Sequence, residues 1–159
     1  MKVIPLTKNK LAFVDDSDYA KLAVYSWVFN GRYASRKSSD NRTVYMHREI
    51  LKASDNLEVD HINGNCLDNR RSNLRLANHQ QNMRNQKPIK GKSSQYKGVS
   101  WDKSHNRWQS YIHINDYKKH IGYFKDEIQA ARAYDAEAIK LFGEYARLNF
   151  NQGKEVLVC

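Results

Sequence analysis

The segment VDHINGNCLDNRRSNLRLANHQQN holds Asp60 and His61, then Asn73 twelve residues after the histidine and Asn82 nine residues further on. Asp60 offers a carboxylate and Asn82 a side-chain carbonyl, both hard oxygen donors of the kind that hold magnesium-class cations. His61 is the side chain whose ordinary pKa suits proton abstraction near neutral pH. A hard cation held beside a base that activates water is what phosphodiester hydrolysis needs. Each residue type is common in loops. The meaning lies in their combination, with turn and cap signals in agreement.

The local pattern suggests how these residues converge. Leu57, Val59 and His61 alternate with polar positions, which predicts a short strand ending at the Asp-His pair. Asn63-Gly64-Asn65 is a turn signal, because Gly and Asn tolerate positive φ. Leu74 and Leu76 alternate again and predict a second strand. Asn78 has the character of a helix N-cap, with Gln81 at capping-box spacing. Asn82 then falls one turn into that helix, on the face shared with His79 and Asn85. Strand, loop, strand and helix are expected to gather Asp60, His61 and Asn82 around one cation.

On these residues the segment resembles the HNH endonuclease family, in particular the free-standing and intron-encoded phage homing endonucleases. The preceding MHREIL, Met46 to Leu51, resembles that group as well, which often places a His-Arg before the motif. The resemblance implies that His61 is the general base, that Asp60 and Asn82 bind a divalent metal, and that Asn73 orders the loop and helps orient the histidine. The chain departs from the family name at its third letter, which is Asn82 rather than His. An amide oxygen is a harder ligand than imidazole, so one site for Mg2+ (or Mn2+) is expected rather than zinc. His47 stays open between a role behind the metal site, a phosphate contact, and a packed strand histidine.

A second informative stretch runs from Ser94 to Phe150. Runs of β character around Tyr96 to Trp101, Arg107 to Ile114 and Lys118 to Phe124 are separated by polar turns. A helix is expected from about Asp126 to Phe142, where Ile128, Ala131, Tyr134, Ala138, Ile139 and Phe142 recur at helical spacing, with Gly143 as its stop. Tyr96-Lys97-Gly98-Val99, Trp108, Ile121 to Phe124, Ala130 to Asp135 and Leu148-Asn149-Phe150 make this stretch resemble the Apetala-2 / ethylene-response-factor DNA-binding domain. That family lays its sheet in the major groove. The resemblance implies DNA contacts from Lys97, Trp101, Arg107, Tyr111, His113, Lys118, His120 and Tyr123. Several family arginines are replaced here, so base preference is not carried over. Trp108, Ile112, Ile121 and Phe124 are read as core, and Trp101 stands between packing and DNA contact. Residues 83–125 carry ten Lys/Arg against two Asp/Glu, whereas 126–150 carry three against five. A basic sheet backed by an acidic helix turns one face toward phosphate.

The formal net charge of +10 asks for a polyanionic partner. No long apolar run or basic amphipathic helix points to a membrane, and Met1 to Leu11 is too short and polar for a signal peptide. Cys66 and Cys159 stand alone, without a Cys-x-x-Cys, so neither disulfide nor structural zinc is expected. In residues 1–50, Val3 to Leu6, Leu11 to Val14, Tyr25 to Phe29 and Val44 to His47 are read as strands. Asp15 to Asp18 is read as a turn capping a short helix from Asp18 to Val24.

The expected class is α+β: a β-rich extension over 1–50, a ββα-metal nuclease module over 51–86, a basic linker over 87–93, a three-stranded antiparallel sheet backed by one helix over 94–150, and a tail over 151–159. The expected protein is a monomeric, site-directed, metal-dependent DNA endonuclease without small-molecule cofactor, cytoplasmic in a bacterial host if of phage origin. The alternative is a sequence-specific DNA-binding regulator with an inactive nuclease module. A third reading, an RNA-directed nuclease, fits a major-groove reader less well.

Overall fold

The structure is a computed structural model that describes residues 1–85, 93–115 and 117–150. The expected linker, Ser93 excepted, and the tail lie outside the described residues. The chain divides into two compact units, Met1–Met83 and Arg84–Cys159. Among the described residues no helix is long and apolar enough to cross a membrane.

The first unit begins with an antiparallel hairpin of β1 (Lys2–Leu6) and β2 (Lys10–Val14). Strand alternation selects the inward face, so Ile4, Leu6, Ala12 and Val14 are buried while Val3 and Leu11 are exposed. Helix α1 (Asp16–Leu22) follows. It starts two residues earlier than the sequence suggested, because Asp15 occupies the N-cap position. A three-stranded sheet comes next, in the order β3 (Val28–Phe29), β4 (Ala34–Lys37) and β5 (Thr43–Tyr45). Strand β4 has no clear alternation in its ASRK sequence and was not expected.

The expected strand through His47 stops at Tyr45, and His47 lies in helix α2 (Met46–Leu51) instead. Met46 and Ile50, four residues apart, are both buried and give this helix an inward face. Lys52 ends it in the left-handed conformation. The Arg48 guanidinium then donates to the carbonyls of Leu57 (2.8 Å), Ala53 (3.3 Å) and Ser54 (2.9 Å), fastening the turn that leads to the next strand.

Strands β6 (Glu58–His61) and β7 (Leu74–Ala77) form an antiparallel pair followed by helix α3 (His79–Arg84). The helix opens with a reciprocal capping box: Gln81 N donates to Asn78 Oδ1 at 2.9 Å, and Asn78 N donates to Gln81 Oε1 at 2.8 Å. One apolar cluster joins Ile4, Val14, Leu22, Trp27, Met46, Ile50, Val59 and Leu74. Residues 1–50 therefore share a core with the β6–β7 hairpin.

The second unit is an antiparallel sheet in the order β10 (Tyr117–Phe124), β9 (Arg107–Ile114), β8 (Val99–Asp102), with helix α4 (Glu127–Phe142) packed on it. Asp126 caps α4 by accepting from Gln129 N at 2.8 Å, and Gly143 ends it at φ 53°. Ala130, Ala131 and Ala138 are small enough to seat the helix closely against Val99 and Ile112. Gly98 sits at φ 74°, where a Cβ would lie 2.0 Å from the Tyr134 ring and 2.5 Å from the Tyr111 carbonyl oxygen. The Asn149 amide clasps Lys97 through its N–H (2.7 Å) and its carbonyl (3.0 Å). The buried Asp135 carboxylate in turn accepts from Asn149 N and Phe150 N at 2.8 and 2.9 Å.

Candidate active site

Residues directly opposite in an antiparallel pair share a face. In the β6–β7 hairpin Glu58 faces Ala77, Val59 faces Leu76, Asp60 faces Arg75 and His61 faces Leu74. Glu58, Asp60 and Arg75 thus project from one side, and Val59, His61 and Leu74 from the other. Asp60 and His61 are chain neighbours whose side chains leave β6 on opposite faces.

On the first face Asp60 is only 5% exposed, and a buried carboxylate needs a cationic partner. Arg75 supplies it, donating from Nε at 2.9 Å and Nη2 at 2.6 Å to Asp60 Oδ2. Glu58 uses both oxygens on α3: Oε1 lies 2.8 Å from His79 Nδ1, and Oε2 accepts from Asn82 Nδ2. These two bonds, that of Asn82 foremost, hold the Glu58 carboxyl below its usual pKa.

On the second face His61 is equally buried, with Nε2 3.4 Å from Asn69 Oδ1. Aromatic rings wall it in. The Tyr33 ring stacks at 6.0 Å between centroids, and the His47 ring meets it edge-on at 5.1 Å. Tyr33 also touches His47 at 4.8 Å. Burial pushes the His61 pKa down, against the bond from Asn69 and the charge of Asp60, which push it up. His47 is driven further, to about 3, by burial and then by the neighbouring His61. Its Nδ1 is buried without a hydrogen-bond partner among the described residues. Both imidazoles are therefore neutral at neutral pH, the form that can accept a proton.

The loop between the strands is knitted by its own asparagines. Gly64 turns at φ 72° and its N–H meets His61 O at 2.8 Å. Asn73 accepts from Asn63 N (2.9 Å) and donates to Asp68 O (2.8 Å). Asp68 holds Arg70 through both oxygens at 2.7 Å and also accepts from Asn63 Nδ2. Asn69 is wholly buried and its N–H donates to Phe13 O at 2.8 Å. The Asn73 side chain thus bonds within the loop, and the amide against His61 is that of Asn69.

Four residues of this site were not singled out from the sequence: Tyr33, Glu58, Asn69 and Arg75. Glu58 carried a signal, being two positions before Asp60 on the same strand face. Asn69 belongs to an asparagine-rich loop, but nothing local sets it apart. Arg75 follows only from the register, and Tyr33 has no local signal.

Among the described residues no group of three or more His, Cys, Asp or Glu side chains gathers as a metal site. The donors available beside α3 are the carboxylates of Asp60 and Glu58 and the amide of Asn82. Their hard-oxygen chemistry fits a magnesium-class ion, which would take the place that Arg75 holds on Asp60.

The second unit places Arg107, Tyr111, His113, Lys118, His120 and Tyr123 on the sheet face away from α4, since Lys118 faces His113 and His120 faces Tyr111 across the strands. A bulge between His120 and Gly122 keeps Tyr123, opposite Gln109, on that face. Lys118 Nζ lies 3.9 Å over the Tyr111 ring, and Tyr123 touches His120 and His105. Trp101 differs. It faces Trp108, whose ring it meets edge-on at 5.1 Å, and so lies on the helix side. The Lys97 amine donates to the Arg84 carbonyl, and burial lowers its pKa to about 8.

A family model described as HNH endonuclease matches residues 45–84. The chain is 35% identical over 148 residues to an uncharacterized HNH endonuclease of Acanthamoeba polyphaga mimivirus, covering 89% of this chain and 76% of the relative. It is 33% identical over 89 residues to Protein 3.8 of Escherichia phage T7, covering 56% of this chain and 73% of that protein. It is also 42% identical over 62 residues to APETALA2-like protein 2 of Oryza sativa, spanning 39% of this chain but 14% of the plant protein. No solved structure matches the chain significantly.

Proposed function

Because this chain belongs to the HNH endonuclease family, we propose that it is a divalent-metal-dependent, site-directed DNA endonuclease whose C-terminal unit directs the cut. The observation that carries the reading is His61: buried, neutral, bonded to Asn69, walled by Tyr33 and His47, and one residue from a carboxylate. An amide oxygen only accepts hydrogen bonds, so a bond to Asn69 Oδ1 needs the ring proton on Nε2, the tautomer in which Nδ1 is the basic nitrogen. His61 takes a proton from the water that attacks the phosphate. Asp60 and Asn82 would hold the cation, with Asp60 released from Arg75. When bound, a divalent ion stabilises the charge that develops on the phosphate and on the leaving 3′ oxygen. Since Asp60 and His61 leave β6 on opposite faces, the scissile phosphate has to lie across the end of that strand to be reached from both.

The outer sheet face of the second unit supports a duplex DNA partner. Arg107 and Lys118 bring charge, and Tyr111, His113, His120 and Tyr123 bring rings with hydrogen-bonding edges. Lys97 and Trp101 are weaker candidates there, one bonded to a backbone carbonyl and the other on the helix side. A mobile-element (homing) role is part of the proposal on the family resemblance alone.

The test is cleavage of supercoiled plasmid with Mg2+, with and without EDTA, by the wild type and by His61→Ala. EDTA should stop the reaction. His61→Ala should slow it on the order of a hundredfold or more, the usual worth of general-base assistance, with DNA affinity unchanged. A variant that loses binding and cleavage in equal measure would show His61 to be structural and end the catalytic reading.

A further inference from the structure

An asparagine has two unlike ends. The carbonyl oxygen can ligate a cation and the NH2 group cannot, yet the two are nearly the same shape. A site that relies on an amide oxygen therefore needs something to turn it. We propose that Glu58 is the positioning residue that turns Asn82, engaging its Nδ2 so that Oδ1 is the end presented to a cation. The inference rests on reading Asn82 as a metal ligand.

Hydrogen-bond donors and acceptors decide which end of the amide faces Glu58. An ionised carboxylate has no proton to give, so it can engage only the NH2 end of an amide. Glu58 Oε2 takes that end. Its other oxygen holds His79 Nδ1 at 2.8 Å, three residues before Asn82 and so on the same face of α3. One carboxylate thus pins the helix at two points. The pinning matters because α3 has only six residues, too few to hold its own conformation without tertiary contacts. Glu58 itself stands on the hydrogen-bonded ladder of β6, on the face that carries Asp60. The strand that bears one proposed ligand therefore also orients the other. Partners of this kind, behind a ligand rather than on the metal, typically change metal affinity by about 10- to 100-fold.

The test is a titration of the full chain with Mn2+, without DNA, followed by electron paramagnetic resonance. Glu58→Ala and Glu58→Gln should each weaken Mn2+ binding by about 10- to 100-fold; Gln keeps the shape but can offer either end to Asn82. The decisive comparison is in an Asn82→Asp background. Both ends of that side chain are oxygens, so orientation no longer matters and Glu58→Ala should leave Mn2+ affinity unchanged or tighten it by removing repulsion. Equal weakening in both backgrounds would make Glu58 a ligand in its own right and overturn the positioning role. Weakening by Asn82→Ala with none by either Glu58 variant would overturn it while sparing Asn82 as ligand. Wild-type affinity in Asn82→Ala would remove the metal reading itself.

Discussion

Acid should destabilise the first unit through a histidine buried beside the proposed base. His47 is 6% exposed, and burial beside His61 holds its pKa at about 3 rather than the ordinary 6.5. In the unfolded chain His47 takes a proton as the pH falls through 6.5, while in the folded chain it stays neutral until about 3. The unfolded state binds more protons throughout that window, so stability is whole above about pH 6.5 and falls as the pH drops. Each pH unit inside the window is worth about 1.4 kcal/mol, so at about pH 4.5 the loss from His47 alone comes to between roughly 2 and 3 kcal/mol. That is a large share of the roughly 5–15 kcal/mol stability of a typical domain.

His47→Leu removes the titrating group at similar size, and the Nδ1 it deletes has no partner among the described residues to orphan. Urea unfolding of both proteins at about pH 7.5 and about pH 4.5, followed by tryptophan fluorescence with Trp27 buried in the same core, measures the difference. The wild type should lose roughly 2–3 kcal/mol more than the variant between the two conditions. His61 is shifted in the same direction and remains in both proteins, so its own burial contributes to both; a triple comparison with His61→Leu measures the coupling between the two rings. If the two proteins lose equal stability on acidification, His47 is not held neutral by burial and the account of the aromatic wall fails.

Three further outcomes are expected. Asp60→Ala or Asn82→Ala should abolish metal-dependent cutting, while Asn82→His should keep some activity and shift preference toward softer ions such as nickel or zinc; normal cutting by Asn82→Ala in a metal-swap assay would refute the ligand assignment. Gly98→Ala should destabilise the second unit by roughly 3 kcal/mol or more in thermal or urea unfolding, because it combines positive φ with a clash against the Tyr134 ring, and a stability near wild type would contradict that packing. A fragment ending near Gln86 should bind DNA more weakly and with a shallower salt dependence, since fewer phosphates are neutralised, yet still nick slowly with relaxed site choice, whereas residues 90–153 should bind and not cut; full affinity and unchanged site preference in the nuclease fragment would move targeting out of the second unit.

Elements whose signals are local were legible in the sequence. The alternation around Val59 and His61, the Asn-Gly turn and the Asn78/Gln81 pair correspond to β6, the Gly64 turn and the capped start of α3. The helical spacing between Asp126 and Phe142 corresponds to α4 within a residue. Ambiguous periodicity does not separate strand from helix. Val44 to His47 is apolar enough for a strand, but Met46 and Ile50 bury together only in a helix, so the chain turns at Tyr45. The site partners were less legible because they depend on register and tertiary contact. That Asp60 meets Arg75 requires knowing that these two strands pair without a slip; one residue of slip would send Arg75 to the other face. That Trp101 turns toward the helix side follows from its pairing with Trp108, which a single strand read alone does not disclose.

The N-terminal fifty residues show how far such tertiary dependence reaches into the chemistry. Asp15 and Asp18 look like helix-capping acids, and Asp15 does occupy the N-cap of α1 without a side-chain cap bond. Their oxygens go elsewhere. Asp15 accepts from Arg71 N at 2.8 Å, and Asp18 holds the Arg71 guanidinium through both oxygens at 2.8 Å. Arg71 also donates to Ile50 O at 3.0 Å. Earlier in the same loop, Phe13 N donates to Leu67 O and Phe13 O accepts from Asn69 N, both at 2.8 Å. The backbone of Asn69, whose side chain meets His61, is therefore anchored to β2, and the far end of the loop to α1. Tyr33, beside β4, supplies the ring stacked on His61. A chain lacking residues 1–50 would keep Asp60, His61, Asn73 and Asn82 in sequence but lose the anchors that hold the loop against His61. The segment least informative as sequence is thus part of the scaffold on which the proposed catalysis depends.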